Sequence, residues 1–500
     1  MTAKKDYSTE QIIDWFSEKD GEWWEKEGRE RALALFHDAA VRVPAYKDFL
    51  KKNKIDHTKI KTWEDFQSVP LTSKKEYLKK YSLEQLCWDG KLNKPLVFTA
   101  TSGSTGEPFY FPRTERLDWQ MSVTVESFLK NNGQKIKNPI LVIDGFGMGI
   151  WIGGLITYKG FEMSAQRNGY PISIVTPGIN KEEIFKILKN IAPLYKEVIL
   201  GGYPPFVKDL VDEAPARGID FKKMNVRFIF AAEPFGERFR EYIAEHAGVK
   251  NMYIDNLHIY GTADIGTMAW ETPTSILMKR TALKSESLFN ELFGGIKKCP
   301  TFAQYNPREH VFEETEGRLL VTGDSALPLI RYDLGDNGGV MTYAEGVKKM
   351  KEAGTDIDKE AKKHGIKQLY RLPLVYVYER NDFSTTLYGL QIYPETVREA
   401  LLTKSLQPYV TGKFSMFTSF DENQDQYLEI HVELKKEKAA RADLNEIAAK
   451  EIVRFLKDKN GEFKHLAAYL GERAVPKVVL WPREHPTYFK PGGKQKWIQK

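Results

Sequence analysis

The sequence predicts an α/β protein: a large N-terminal α/β domain whose first part is helical, then a small C-terminal α+β domain. Three observations carry this. Residues 8–95 repeat apolar side chains at helical spacing. Between residues 96 and 378, short apolar runs alternate with amphipathic stretches, the pattern of a parallel or mixed sheet with helices on its faces. The pattern breaks at Glu379-Arg380-Asn381-Asp382 and resumes on a smaller scale, so the expected domains are residues 1–380 and 381–500. A chain of 500 residues accommodates both.

In the helical part, Ser8-Thr9-Glu10 can cap a helix through Ile12, Ile13 and Trp15-Phe16. Arg29 to Val43 has helical spacing, and Pro44-Ala45-Tyr46 is expected to end it. A further helical piece follows Thr62, and Thr72-Ser73 is expected to cap another around Tyr77-Leu78. The tryptophans at 15, 23 and 24 read as packing residues. Pro139–Ile143, Ile172–Val175, Glu197–Leu200 and Val226–Phe230 read as buried strands, with helices over Lys181–Ile191 and Glu237–His246.

Ligands in such folds gather beyond the carboxyl ends of the strands. The stretch Thr99 to Pro108 lies between two apolar runs, as a hairpin-like turn. Five of its ten residues bear hydroxyls and two are glycine. Backbone N–H groups freed by glycine, with hydroxyl donors, can cradle phosphates. No lysine follows the last glycine, so this is not the GxxxxGK[ST] loop. An ordinary surface turn is the alternative. Strand ends are followed by Asp144-Gly145-Phe146-Gly147, Gly201-Gly202-Tyr203, Ala231-Ala232-Glu233-Pro234 and Tyr260-Gly261-Thr262-Ala263-Asp264. Together they point to a composite site for a nucleotide and a partly aromatic second ligand. Phe146, Trp151, Tyr203 and Tyr260 are the candidate pocket residues, although a glycine-rich helix packing on the sheet explains 145–154 equally well. Gly335-Asp336 offers a carboxylate suited to two ribose hydroxyls. Residues 341–365 read as a charged helical insertion, and Gly492-Gly493-Lys494 as a fraying tail or an arm delivering an ammonium.

Net charge is +6, with lysines dispersed among nearly as many acids, which argues weakly for nucleic acid and suits anionic small substrates. No run reaches the roughly 18–20 apolar residues of a membrane span, and Met1–Asp20 lacks a signal-peptide core. Cys87 and Cys299 are too few for a disulfide framework, so a cytoplasmic protein is expected.

Taken in order, these motifs resemble the adenylate-forming superfamily of acyl-CoA synthetases, adenylation domains and luciferases, above all the phenylacetate–coenzyme A ligase branch. Val43-Pro44-Ala45-Tyr46, Ala232-Glu233-Pro234, Pro328-Leu329-Ile330-Arg331-Tyr332 and Gly389-Leu390-Gln391-Ile392-Tyr393-Pro394 are similar to that branch. The resemblance covers roughly residues 30–500. It implies that Thr101, Ser102, Gly103, Ser104, Thr105 and Gly106 cradle the phosphates of ATP, with Thr105 acting in catalysis. Glu233 and Pro234 would line the adenine side, Tyr260, Gly261 and Thr262 border adenine and acid, and Asp264 hold Mg²⁺. Asp336 would bind the ribose with Arg331 or Tyr332 nearby, Asp382 would be the hinge, and Lys494 the lysine bridging carboxylate and α-phosphate.

The implied reaction joins a carboxylic acid to ATP as an acyl-adenylate, then passes the acyl group to coenzyme A. No nucleophilic residue is needed. The sequence departs from the family in four places: Glu107 where many relatives have Lys, Asp264 for Glu, Arg380-Asn381-Asp382-Phe383 at the hinge, and no Cys/His zinc cluster. Adenylation with another acceptor (an amine, another small molecule or a protein thiol) and a non-catalytic nucleotide-binding protein are the alternatives. A homodimer is left open.

Overall fold

The computed structural model describes residues 7–100, 109–296, 299–380, 384–435 and 443–489. The chain forms two compact units. One comprises Met1–Ala100, Tyr110–Gly202 and Val207–Glu379; the other takes in Arg380–Lys500 and, from earlier in the chain, Tyr203–Phe206.

The first unit begins with helices Thr9–Glu18 and Gly21–Arg42. Ser8 caps the first in a capping box with Gln11. Phe16 leaves this helix to pack on Trp24, Trp270 and Tyr370, with ring centroids 5.4–6.0 Å apart. The tryptophans pack on one another, as expected: Trp15 on Trp23 at 5.5 Å and Trp23 on Trp24 at 4.7 Å. Helix Gly21–Arg42 stops just before Pro44, as expected, and Pro44 also opens helix Pro44–Lys52, where its missing N–H costs nothing. Thr72 caps no helix. It forms a parallel bridge to Tyr332, its N–H donating to Arg331 O at 3.1 Å and its hydroxyl to Ile330 O at 2.8 Å.

Strands β1 (Val97–Ala100) and β2 (Tyr110–Arg113) make the expected antiparallel hairpin. The remaining strands are β3 (Ile140–Asp144), β4 (Ile172–Val175), β5 (Glu197–Gly202), β6 (Val226–Ala231), β7 (Asn256–Thr262), β8 (Gly266–Trp270), β9 (Thr301–Gln304), β10 (His310–Thr315), β11 (Arg318–Gly323), β12 (Leu329–Met341) and β13 (Leu374–Arg380). They form one eleven-stranded mixed sheet in the order β10-β11-β12-β13-β9-β8-β7-β6-β5-β3-β4. The run β7-β6-β5-β3-β4 is parallel, and its strands are the apolar runs of the sequence. The order reverses at β3, whose neighbours are β4 and β5, so a topological switch point lies at the carboxyl ends of β3 and β5. The charged insertion forms helices Tyr343–Glu352 and Ile357–Lys363, which bury Met350, Ile357 and Ala361 in a satellite core.

The second unit has a hairpin of β14 (Thr385–Leu387) and β15 (Leu390–Ile392) and a sheet of β16 (Val410–Phe420), β17 (Gln426–Leu434) and β18 (Lys477–Trp481). Tyr388 and Gly389 turn the hairpin with φ of 48° and 81°, as a two-residue loop of matching twist requires. Helices Pro394–Leu401, Leu444–Lys459 and Gly461–Leu470 cover the sheet around Phe414, Ile430, Ile452 and Phe463. Among the described residues no helix is long and apolar enough to cross a membrane.

Candidate active site

Four residues singled out separately in the sequence meet as two hydrogen-bonded pairs. Tyr260, near the end of β7, donates its hydroxyl to Asp336 Oδ2 at 2.5 Å. Tyr332, on β12, donates to Asp264 Oδ2 at 2.6 Å, and Asp264 sits in the turn between β7 and β8. Each element thus supplies one phenol and one carboxylate. Asp336 and Tyr332 are each only 2% exposed, whereas Asp264 is half-buried.

Backbone irregularities set these positions. Arg318 of β11 pairs with Asn337, but Leu320 pairs with Asp333, so β12 bulges between them. Gly335 turns that bulge at φ 74°, and Asp333 ties it by accepting from the Gly335 N–H and from Arg318, both at 2.9 Å. On the other side, the β7–β8 register shifts between Tyr260 and Gly261. A Cβ on Gly261 would meet Gly266 O at 2.6 Å, so the hairpin closes only with glycine there.

Arg331 does not turn toward these carboxylates. With φ at 44°, it directs its guanidinium to Glu313 at 3.1 Å and to the carbonyls of Gln67 and Val69. It staples the helical part to β12 and is a structural residue, a correction to its expected place at the ribose. Breaking a buried pair costs about 3–5 kcal/mol, because the surviving charge is left uncompensated. Arg331→Ala is therefore expected to lower the stability of this unit by that order in denaturant unfolding. Arg331→Met combined with Glu313→Leu should recover most of it, and no recovery would contradict the account.

Behind Glu233, His258 on β7 donates Nε2–H to the Glu233 carbonyl at 2.9 Å and packs against Phe235 at 4.6 Å. Burial pushes this imidazole down to about 4, so it is the neutral form that donates. Ala232 holds a positive φ of 74° at the turn. Beneath lies a buried ionic network. Lys279 contacts Glu271 at 2.5 Å and Glu237 at 2.8 Å, Arg240 contacts Glu237 at 2.9 Å and also Glu271, and Arg280 contacts Glu237 at 2.9 Å. The flanking cations hold Glu237 and Glu271 below the usual carboxylate range despite burial.

No family model and no curated protein matches the chain. Solved structures do. A 2-hydroxyisobutyryl-CoA ligase in complex with 2-HIB-AMP and CoA in the thioesterification state superposes with a TM-score of 0.63 at 15% identity, over 97% of this chain and 91% of that one. The same ligase in the postadenylation state gives 0.52 over the same shares, also at 15% identity. The chain has the adenylate-forming fold. An amide bond synthetase from Marinactinospora thermotolerans gives 0.43 at 14% identity, over 80% of this chain and 67% of that one.

On this adenylate-forming fold the other expected site residues fall as follows. Thr101, Ser102, Gly103, Ser104, Thr105, Gly106, Asp382 and Lys494 lie outside the described residues. Pro234 and Gly261 are exposed, Glu233 is buried, and Thr262 has a buried hydroxyl with no hydrogen-bond partner. Tyr203 belongs to the second unit, its ring 3.0 Å from where a Gly389 Cβ would stand. Trp151 precedes helix Ile152–Asn168 and is partly exposed. Phe146 is fully buried and presents no surface to a ligand, a correction to its expected pocket role. It fills the switch point, 3.0 Å from the Cβ position of Gly201 and 3.5 Å from that of Gly153.

Asp144 holds the Phe146 turn, accepting from its N–H at 3.1 Å. Burial raises this carboxyl to about 8. The folded state therefore binds an extra proton between about pH 4 and 8. The stability that this proton contributes is greatest at the acid end of that window and is lost as pH rises through it. Asp144→Asn should remove this dependence, so the variant gains on the parent from pH 5 to pH 8 in unfolding midpoint. Parallel pH profiles would contradict it.

Proposed function

We propose that the protein is an AMP-forming ligase that activates a carboxylic acid with ATP as an acyl-adenylate and passes the acyl group to coenzyme A. The observation carrying this reading is the reciprocal pairing of Tyr260 with Asp336 and Tyr332 with Asp264 on a fold shared with a CoA ligase. Hydrogen bonds from phenols fix both carboxylates before any ligand arrives, which is the preorganisation that a polar site needs.

Asp336 accepts from the ribose hydroxyls, Tyr260 and Gly261 border the adenine and the acid, and Glu233–Pro234 line the adenine side. Asp264 keeps one oxygen outside its bond to Tyr332, and Thr262 Oγ1 is unpartnered nearby in sequence. An oxygen-only set of this kind suits Mg²⁺, which takes one or two carboxylates plus substrate phosphates. Bound there, the metal supplies charge neutralisation at the phosphates. The loop Thr101–Gly106 offers N–H and hydroxyl donors to the phosphate chain, with Thr105 acting in catalysis. Lys494 bridges the acid carboxylate and the α-phosphate, and Asp382 is the hinge about which adenylation gives way to thiol attack. The incoming thiol is the nucleophile.

A panel of aryl, arylacetic and short-chain acids in the exchange of labelled pyrophosphate into ATP tests the first half-reaction. Exchange that depends on one acid class is expected, and none with any acid would end the enzymatic reading. Acyl-CoA formation on adding coenzyme A tests the second. Glu107 and the altered hinge Arg380-Asn381-Asp382-Phe383 favour a second acceptor class, an amine or protein thiol, if coenzyme A is not acylated.

A further inference from the structure

Two adjoining cavities open on the first unit, and neither is lined by Tyr260, Asp264, Tyr332 or Asp336. One, of about 460 Å³, lies among helix Gly21–Arg42, Trp88 and the loop Pro307–Glu309. The other, of about 370 Å³, reaches Tyr7, Trp119 and Met163. Arg31, Arg116, Arg308 and Glu309 line both.

The polar groups here are of both signs: Glu115 also lines both cavities, and Arg116 pairs with Asp324 at 3.1 Å. Arg31 and Arg308 share a single carboxylate, Glu27. Asn306 Nδ2 and Glu309 Oε1 are buried, and Glu309 as a whole is 7% exposed. Burial raises the Glu309 carboxyl to about 8 against the pull of Arg116, Arg308 and Arg31, so at neutral pH it holds a proton and can donate. Asn306 hydrogen-bonds toward this carboxyl, and the two place a pair of buried polar groups on the cavity wall. The facing wall supplies Trp119, Met163 and Ile12, the apolar body that small-molecule sites show around a few convergent polar groups.

We propose that these cavities form a second ligand site, for a small amphipathic anion with a carboxylate or phosphate head on a flat apolar body. The head takes hydrogen bonds from Arg116, Arg308, Asn306 and Glu309, and the body lies against Trp119 and Met163. The site is independent of the proposed adenylation chemistry.

Titration calorimetry with phenyl phosphate, benzoate and inorganic phosphate tests it. At least one of the two aryl anions is expected to bind with Kd below about 1 mM and more tightly than inorganic phosphate. Which one binds identifies the head. Arg308→Gln and the cavity-filling Met163→Trp should each weaken binding at least about tenfold, whereas Asp336→Ala should leave it unchanged. Near pH 8, binding should take up protons, read as a dependence of the heat on buffer ionisation, and Glu309→Gln should abolish the uptake. Neither aryl anion binding, inorganic phosphate binding as tightly, or Met163→Trp and Arg308→Gln both binding like the parent would overturn the proposal. Loss of binding in Asp336→Ala alone would assign the ligand to the adenylation site and overturn it too.

Discussion

Asp336→Ala is expected to raise the apparent KM for ATP by between about 10- and 100-fold in acid-dependent pyrophosphate exchange, since one hydrogen bond to a charged acceptor contributes roughly 1.5–3 kcal/mol and about 1.4 kcal/mol is tenfold. The carboxylate is buried and held by Tyr260 at 2.5 Å, so it is positioned before the nucleotide arrives. Removing it also takes away the carboxylate that accepts from the Tyr260 hydroxyl, so unfolding must be measured alongside. Asp336→Asn keeps one acceptor and should fall between parent and alanine. Tyr260→Phe leaves the carboxylate but removes one hydrogen bond to it, and should raise KM less than Asp336→Ala does. An unchanged KM for ATP in a folded Asp336→Ala would remove the ribose role, whatever happens to turnover.

The residues of this site were legible one by one, but their pairing was not. Tyr260-Gly261 and Gly335-Asp336 stand out because small residues after a strand signal close approach or a turn. That Tyr260 reaches Asp336 while Tyr332 reaches Asp264 depends on a register shift in the β7–β8 hairpin and on the β12 bulge. Neither is a local property of the chain. The parallel strands were plain, because runs such as Ile140–Ile143 are apolar and end at turns, although Ile172–Val175, at the sheet edge and carrying Ser173, is not the buried strand expected. Pro44 ends one helix as its ring suggests, but the helix it begins was not legible, because the same ring is tolerated at a first position. Thr72 misleads because its hydroxyl is used by a carbonyl 258 residues away rather than by its own backbone. Phe146, set among glycines, looks like pocket lining until Gly201, on the adjacent strand, leaves room for the ring beneath the surface. Glu271, Lys279 and Arg240 were not singled out, because only tertiary packing makes them a buried network.

Lys494→Ala is expected to lower acid-dependent pyrophosphate exchange by on the order of 10³-fold, the scale on which a cation positioned at a transferring phosphoryl group acts. The reasoning begins at the hydroxyl-rich loop. Thr101–Gly106 can offer donors but no charge, and Glu107 makes its surroundings more negative. The paired side chains of the β7–β12 site add two more carboxyl groups, Asp264 and Asp336, and no cation. An ATP α-phosphate approached by a carboxylate therefore needs positive charge from elsewhere, and Arg331 cannot give it while bound to Glu313, Gln67 and Val69. The metal proposed at Asp264 would answer for part of the phosphate charge. The approaching carboxylate carries its own, and on the family resemblance Lys494 meets it. The same reasoning limits the effect to one half-reaction. Thiol attack on a preformed acyl-adenylate has no carboxylate to bring against a phosphate, so Lys494→Ala supplied with that intermediate and coenzyme A should form the thioester within about threefold of the parent rate, a difference under 1 kcal/mol. Equal losses in both half-reactions would show that Lys494 supports the protein rather than the adenylation step.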